Sequence, residues 1–313
     1  MWGYHVQDYL LLALGVVCAA FGGDLFVRAA ISLAHAARVS GLIIGTTVAA
    51  FATSSPEFAV AVTSAIQHTP QISFGDALGS NIANIALILG LALLASPIHA
   101  PRGSIRRDFP LALAVPALTA LACTDGMLSR FEAMLLMIFF MLWMTSLIVS
   151  ARRQRETPGP ASTTRLLSGH HAAAIGGIGL LLLILAGEMI VSGARGNATT
   201  FGITDFVIGA TIVAIGTSIP ELATALIAKW RGHDDIGLGT LLGSNIFNGL
   251  WIVPVAALIH PIEVDLMQTG TAVVFGMVAL LVAFPPRNGI IERRHGVVLL
   301  LVYGTYISTV LLT

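Results

Sequence analysis

Two glutamates stand where ionisable side chains are hardest to keep. Glu57 and Glu221 each fall near the middle of a long apolar stretch, and each closes the same short pattern, Thr53-Ser54-Ser55-Pro56-Glu57 and Thr217-Ser218-Ile219-Pro220-Glu221. A carboxylate at such a place is costly unless it has a partner, and is a functional hypothesis by default. On a helix the Thr four residues earlier and the Ser three residues earlier share a face with the Glu. Each Pro lacks an N–H and pushes back the preceding turn, which leaves carbonyls such as those of Ala52 and Gly216 short of a donor. Carboxylate, hydroxyl and carbonyl oxygens together suit a hard cation, Ca²⁺ or Na⁺, rather than zinc or copper. The plainer alternative is a pair of neutral, hydrogen-bonded glutamic acids that hold helices together. The full coordination set around each Glu, present in duplicate, favours the ion site.

A second wall follows each Glu. Residues 75–88 read GDALGSNIANIALI and residues 239–252 read GTLLGSNIFNGLWI. Ser80 and Asn84, like Ser244 and Asn248, are four apart and share a helical face, which fits ligation or gating. For Gly79, Gly243, Asn81 and Asn245 close helix packing is the preferred reading.

The elements that must position these residues are membrane helices. Of 313 residues, 56% are hydrophobic and 10% charged, and the mean hydropathy is +0.88. A soluble domain carries about a quarter charged residues, so the solvent for most of this chain is lipid. Continuous rather than alternating apolar stretches indicate helices, not a barrel. Ten spans are predicted, near 9–27, 42–66, 72–95, 109–124, 131–150, 170–192, 204–228, 236–259, 268–284 and 296–312. The first has no basic n-region and carries Asp8 nearby, so cleavage as a signal peptide is not expected. Cys18 and Cys123 lie inside spans and read as packing residues; the histidines near span ends read as interfacial. Asp24 and Glu188, near the ends of spans one and six, read as residues snorkelling to water rather than as guards of an ion entrance.

The chain repeats itself. A shift of 164 residues pairs GTTVAAFATSSPE (45–57) with GATIVAIGTSIPE (209–221), then without a gap the two GSNI segments, then Pro97-Ile98 with Pro261-Ile262. The shared residues are largely polar, Gly or Pro, so apolar composition does not explain the match. Each half holds five spans, and an odd number inserts the second copy upside down. The halves are read as 1–150, with its motif near 42–95, and 170–313, with its motif near 204–259, joined by a polar linker at 151–169. Inverted repeats place substrate sites at the midplane where the halves meet. Fourteen of the sixteen Lys and Arg follow an odd-numbered span, which puts linker 151–169 in the cytoplasm and both termini outside.

Taken together, these motifs resemble the two alpha-repeats of the calcium/cation antiporter superfamily, in particular the prokaryotic type of the sodium/calcium exchanger branch. The resemblance implies an all-α polytopic fold of ten transmembrane helices in two inverted five-helix repeats. Helices two, three, seven and eight would surround the ions, and the long first and sixth helices would slide as a gating bundle. It implies that Glu57 and Glu221 bind Ca²⁺ and share in Na⁺ binding, and that Thr53 and Thr217 contribute at the central position. Ser54, Ser80, Ser218 and Ser244, with the carbonyls of Ala50 and Ala214, would complete the Na⁺ sites, and Asn84 matches the usual Asn of the first repeat. One position departs: many sodium/calcium exchangers carry Asp where this chain has Asn248. Counting two carboxylates, one Ca²⁺ is neutralised and three Na⁺ are not, so electroneutral coupling, or protons in place of Na⁺, is expected. The short linker suggests no Ca²⁺-sensing domain.

The expected activity is therefore exchange of Ca²⁺ for Na⁺ by alternating access in the inner membrane of a prokaryote. The alternatives are Ca²⁺/H⁺ antiport through the same Glu pair and, in a different class, an uncoupled cation channel. An intramembrane hydrolase finds no Ser/His pairing, zinc motif or aspartyl dyad inside the spans, so no enzyme is expected. Net charge is zero and says nothing about partners. The implied partners are the ions and the lipid bilayer; no cofactor, nucleic acid or protein partner is implied.

Overall fold

The computed structural model describes residues 2–36, 53–100, 104–153, 169–230 and 234–312, with Arg102 and Gly232. Ala50, Ala52 and most of linker 151–169 lie outside the described residues, as does the first part of span two.

Among the described residues ten helical segments follow one another. They are α1 (Trp2–Ala36), α2 (Ser55–Ile66), α3 (Pro70–Ala95), α4 (Phe109–Ala122) and α5 (Arg130–Arg153) in the first half, and α6 (Gly169–Phe201) opens the second. Then come α7, a bent pair of Asp205–Thr217 and Ile219–Trp230, α8 (Asp234–Phe247 continuing to Ile259), α9 (Leu266–Ala283) and α10 (Arg293–Val310). Six of these helices are individually long and apolar enough to cross a membrane, and the α7 pair makes a seventh, bent by 42°. The bend sits at Ser218, and Pro220 directly follows the restart at Ile219, where a missing N–H costs nothing. Ser54 stands in the same relation to Pro56 at the start of α2.

Helices α1 and α6 run well past the spans read from hydropathy. In α1 the extension starts near an exposed i,i+4 pair, Asp24 and Arg28 at 2.8 Å, and such polar pairs support a helix beyond the lipid. The two long helices pack on one another through glycines related by the repeat. A Cβ on Gly15 would meet Ile190 Cγ1 at 2.7 Å, and one on Gly179 would meet the Phe26 backbone nitrogen at 2.6 Å. Under the 164-residue shift Gly15 corresponds to Gly179 and Phe26 to Ile190, so the two contacts are one contact seen twice. The α3–α7 crossing is closer still: any side chain at Gly75 or Gly79 would strike the main chain at Phe206 or Ala210. Gly79 thus has the packing role expected of it.

Two short antiparallel ribbons report which loops share a side. β1 (Ile98–His99) pairs with β4 (Ile290–Ile291), and β2 (Met127–Leu128) pairs with β3 (Ile262–Glu263). The first joins the loop after α3 to the loop after α9; the second joins the loop after α4 to the loop after α8. Each therefore links connections of equal parity, as an unbroken count of spans requires. Arginines repeat the relation: Arg130 caps the end of α8 at the Leu258 and Ile259 carbonyls (2.9 and 3.1 Å), and Arg293 caps α3 at the Ala95 carbonyl (2.7 Å). Cations suit helix C-termini, whose last carbonyls lack intrahelical donors.

The main core runs through α3, α8 and their neighbours, whereas a separate apolar cluster around Leu12, Ala19, Ala186 and Ile190 serves the α1–α6 pair. Large apolar side chains such as Phe21, Leu142, Leu181 and Leu281 are exposed, which fits a lipid-facing surface. Both cysteines are free.

Candidate functional site

The predicted residues converge where α2, α3, α7 and α8 meet. Glu57 and Glu221 are 1% and 0% exposed, and Ser54, Ser80, Asn84, Thr217, Ser218, Ser244 and Asn248 are all buried beside them in the sequence motifs; Thr53 is half-buried. Among the described residues no Lys, Arg or His belongs to the buried set, so these acids have no buried protein counter-charge.

The site has two wings. In one, Ser244 Oγ donates to Glu221 Oε1 at 3.1 Å, Ser54 donates to Ser244 Oγ at 3.2 Å, and Thr53 Oγ1 lies 3.3 Å from the same atom. In the other, Ser80 Oγ lies 3.4 Å from Thr217 Oγ1 and 3.3 Å from the Ala214 carbonyl. The Thr53–Ser244 and Thr217–Ser80 contacts are counterparts under the repeat. The Thr217 hydroxyl also faces the Glu57 carboxylate, as Thr53 faces that of Glu221. Neither oxygen of Glu57 has a hydrogen-bond partner, nor do Glu221 Oε2 and Ser218 Oγ, among the described residues. Buried acceptors left in this condition are costly, and a bound cation is one way to satisfy them.

The GSNI segments place four asparagines about the pseudo-two-fold axis. Asn81 Nδ2 donates to the Asn245 carbonyl at 3.2 Å and Asn245 Nδ2 to the Asn81 carbonyl at 2.9 Å. Asn84 Nδ2 donates to Asn245 Oδ1 (3.0 Å) and Asn248 Nδ2 to Asn81 Oδ1 (3.1 Å). Asn81 and Asn245 thus cement the helices, while Asn84 and Asn248 spend their amide groups on that network and, among the described residues, keep buried Oδ1 atoms without a donor. Both lie on a π-helical turn, Ala83–Leu89 in α3 and Asn248–Ile252 in α8. Such turns are rare and common at functional sites because they widen the helix and free main-chain carbonyls.

One buried acid at the site is absent from the repeat-based reading. Asp76, 1% exposed on α3, accepts from the Thr217 hydroxyl at 2.8 Å and from Ser80 at 3.3 Å, both at Oδ1. The repeat passes over it because its counterpart is Thr240. The signal available in the sequence is an ionisable residue one helical turn before Ser80, on the same face.

Outside this cluster, Glu188 takes a hydrogen bond from Gln67 at 2.6 Å. A cavity of ≈ 650 Å³ opens on the side of the even-to-odd loops, lined by Gln71, Thr204, Asp205, Glu263, Asp265 and Gln268 among others. On the opposite side the space by Leu89, Ala225, Lys229, Asp234 and Leu241 is only ≈ 10 Å³.

Comparison with known proteins places this geometry. The solved sodium/calcium exchanger from Methanococcus jannaschii superposes with a TM-score of 0.63 at 29% identity, covering 97% of this chain and 98% of that one. The sodium/calcium exchanger MaX1 of Methanosarcina acetivorans is 30% identical over 341 residues, covering 96% of this chain and 97% of its own. The inner membrane protein YrbG of Escherichia coli is 37% identical over 263 residues, covering 82% and 81%. The profile described as sodium/calcium exchanger protein matches twice in tandem, over residues 8–149 and 171–312. With ten membrane helices in two inverted repeats and the motifs of both halves facing one another, the chain belongs to the sodium/calcium exchanger protein family.

Proposed function

We propose that this multi-pass cation antiporter exchanges Ca²⁺ for Na⁺ by alternating access at the site between α2, α3, α7 and α8. Glu57 and Glu221 bind Ca²⁺ and share Na⁺. Thr53, Thr217, Ser54, Ser218, Ser80, Ser244, Asn84 and Asn248, with the carbonyls of Ala50 and Ala214, supply the remaining oxygens. The observation that carries this reading is the pair of fully buried glutamates, each with a threonine of the other repeat beside it, Thr217 for Glu57 and Thr53 for Glu221, and with no buried basic residue among the described ones. An empty site leaves bare carboxylates in a low-dielectric interior, a state costly to occlude, and that cost favours exchange over leak.

The unequal cavities at the two ends support a conformation open towards the even-to-odd loops and closed at the other end. With the basic residues concentrated in odd-to-even loops, the open end faces outward and linker 151–169 lies in the cytoplasm. Repeats 1–150 and 170–313 then act as the two halves about the pseudo-two-fold axis, and the inner-membrane relative favours the same membrane for this chain.

The test is uptake of radiolabelled Ca²⁺ into Na⁺-loaded liposomes diluted into Na⁺-free buffer, with proton gradients collapsed. Uptake that depends on internal Na⁺ is expected. Uptake driven only by an imposed pH gradient would replace Na⁺ with H⁺ as the coupling ion. Flux without any counter-ion would make the protein a channel.

A further inference from the structure

The two wings of the site should be equivalent under the repeat, and one residue makes them unequal. In the Glu221 wing, Ser244 donates to its own repeat's glutamate. In the Glu57 wing the corresponding serine, Ser80, reaches Asp76 instead, and Glu57 keeps both oxygens without a partner among the described residues. Asp76 Oδ1, Thr217 Oγ1, Ser80 Oγ and the Ala214 carbonyl form a cluster of oxygens 2.8–3.4 Å apart. The Val213 carbonyl adds a fifth oxygen, 3.1 Å from Thr217 Oγ1. Only the two hydroxyls bring side-chain protons to this group, so lone pairs outnumber donors. A cation relieves that imbalance; further packing does not.

Charge leads to the same place. Asp76 lies near enough to repel both Glu57 and Glu221, and no buried Lys, Arg or His among the described residues offsets the three acids. Three negative charges at one buried site match three monovalent cations, or one divalent cation with one charge left over. The expectation of electroneutral coupling counts Glu57 and Glu221 alone, and a third ionised acid in the site would change that count.

We propose that Asp76 is a third anionic ligand of the transport site, holding Na⁺ with Thr217, Ser80 and the Ala214 carbonyl, and that it supplies the charge missing at Asn248. This deepens the exchanger reading and rests on it. The corresponding position in the other wing has Thr240 in place of the acid, so the two Na⁺ positions differ in affinity and the one beside Asp76 is the tighter. Coupling then carries net positive charge in the direction of Na⁺ movement.

The experiment has a binding arm and a transport arm, both on the full chain. In detergent, the thermal midpoint is followed against NaCl, with choline chloride holding ionic strength, for the wild type and Asp76→Asn. The half-saturating Na⁺ concentration should rise about tenfold or more in the variant, as expected on losing a charged ligand. In liposomes clamped with K⁺ and valinomycin, Na⁺-driven Ca²⁺ uptake by the wild type should accelerate under an inside-positive potential. Asp76→Asn should lose that response, and Asn248→Asp added to it should restore it. An unshifted Na⁺ midpoint, or voltage-insensitive exchange by the wild type, overturns the proposal. Na⁺ binding that depends on Asp76 in a protein without exchange would overturn the transport reading and leave the ligand assignment standing. If Asp76→Asn does not fold, Asp76→Ser removes the charge in a smaller side chain and is read the same way.

Discussion

Asn81 and Asn245 each donate a side-chain amide to the other's main-chain carbonyl, at 3.2 and 2.9 Å, across the pseudo-two-fold axis. The residues are counterparts in the two repeats, so the pair fastens α3 to α8 at the point where the halves are mutually inverted. Asn84 and Asn248 hang from the same network and inherit their orientation from it.

This pair should behave as a unit. Asn81→Ala and Asn245→Ala are each expected to cost about 1–3 kcal/mol, since each removes the acceptor of a buried side-chain amide, that of Asn248 or of Asn84. The double variant should cost clearly less than the sum, as residues sharing one network do. Thermal unfolding of the three variants in detergent measures this; additive losses would mean that the two asparagines act independently.

Glu57→Gln and Glu221→Gln should each abolish Ca²⁺ uptake while leaving insertion intact. In ion-free buffer both variants should be more stable than the wild type, by about 1–3 kcal/mol, because an uncompensated buried charge is removed. Ca²⁺ should no longer raise their thermal midpoint. Normal flux in either variant would remove that glutamate from the site.

Gly79→Ala brings a Cβ into the Ala210 carbonyl and must push α3 from α7. A loss of about 1–3 kcal/mol is expected for such overpacking, with reduced transport because Ser80 and Ala214 move apart. Gly177→Ala is the control, since nothing lies within 4 Å of its added methyl. Equal stability of the two variants would show that the crossing tolerates separation.

Lys229 bridges two loops at the end opposite the large cavity. Its Nζ lies 2.7 Å from the Pro97 carbonyl and 2.9 Å from Asp234 Oδ1, while Asp234 Oδ2 accepts from the His99 N–H at 3.3 Å. The counterparts of Lys229 and Asp234 are Ala65 and Pro70, so the repeat does not reproduce this ion pair at the other end. Lys229→Ala should shift the population towards opening at this end. With Cys18 and Cys123 replaced, Leu241→Cys should react about tenfold faster with a membrane-impermeant thiol reagent applied from that side. An unchanged rate would show that other contacts hold the end shut.

Much of the molecule is legible in the chain itself. Lipid leaves long apolar stretches as the only solution for a buried backbone, so ten spans follow from hydropathy, and the 164-residue repeat with five spans per half requires inversion. Duplication also singles out Glu57 and Glu221 with their hydroxyl neighbours, because polar residues repeated inside apolar helices have a common cause. Hydropathy does not see where helices end: α1 and α6 continue beyond the apolar stretches because polar residues outside the lipid pay no penalty for staying helical.

Only the tertiary structure decides what breaks the symmetry. Asp76 is invisible to a comparison of halves, since Thr240 occupies its counterpart, and it belongs to the site because the α3–α7 crossing at Gly75 and Gly79 brings it to Thr217. The asparagines likewise have the same type and spacing in both halves; their division into fasteners and free acceptors comes from which partner each amide meets across the axis. Local sequence sets a residue's type, face and depth in the membrane. Its partners depend on the approach of helices more than a hundred residues apart in the chain, and that approach is a property of packing.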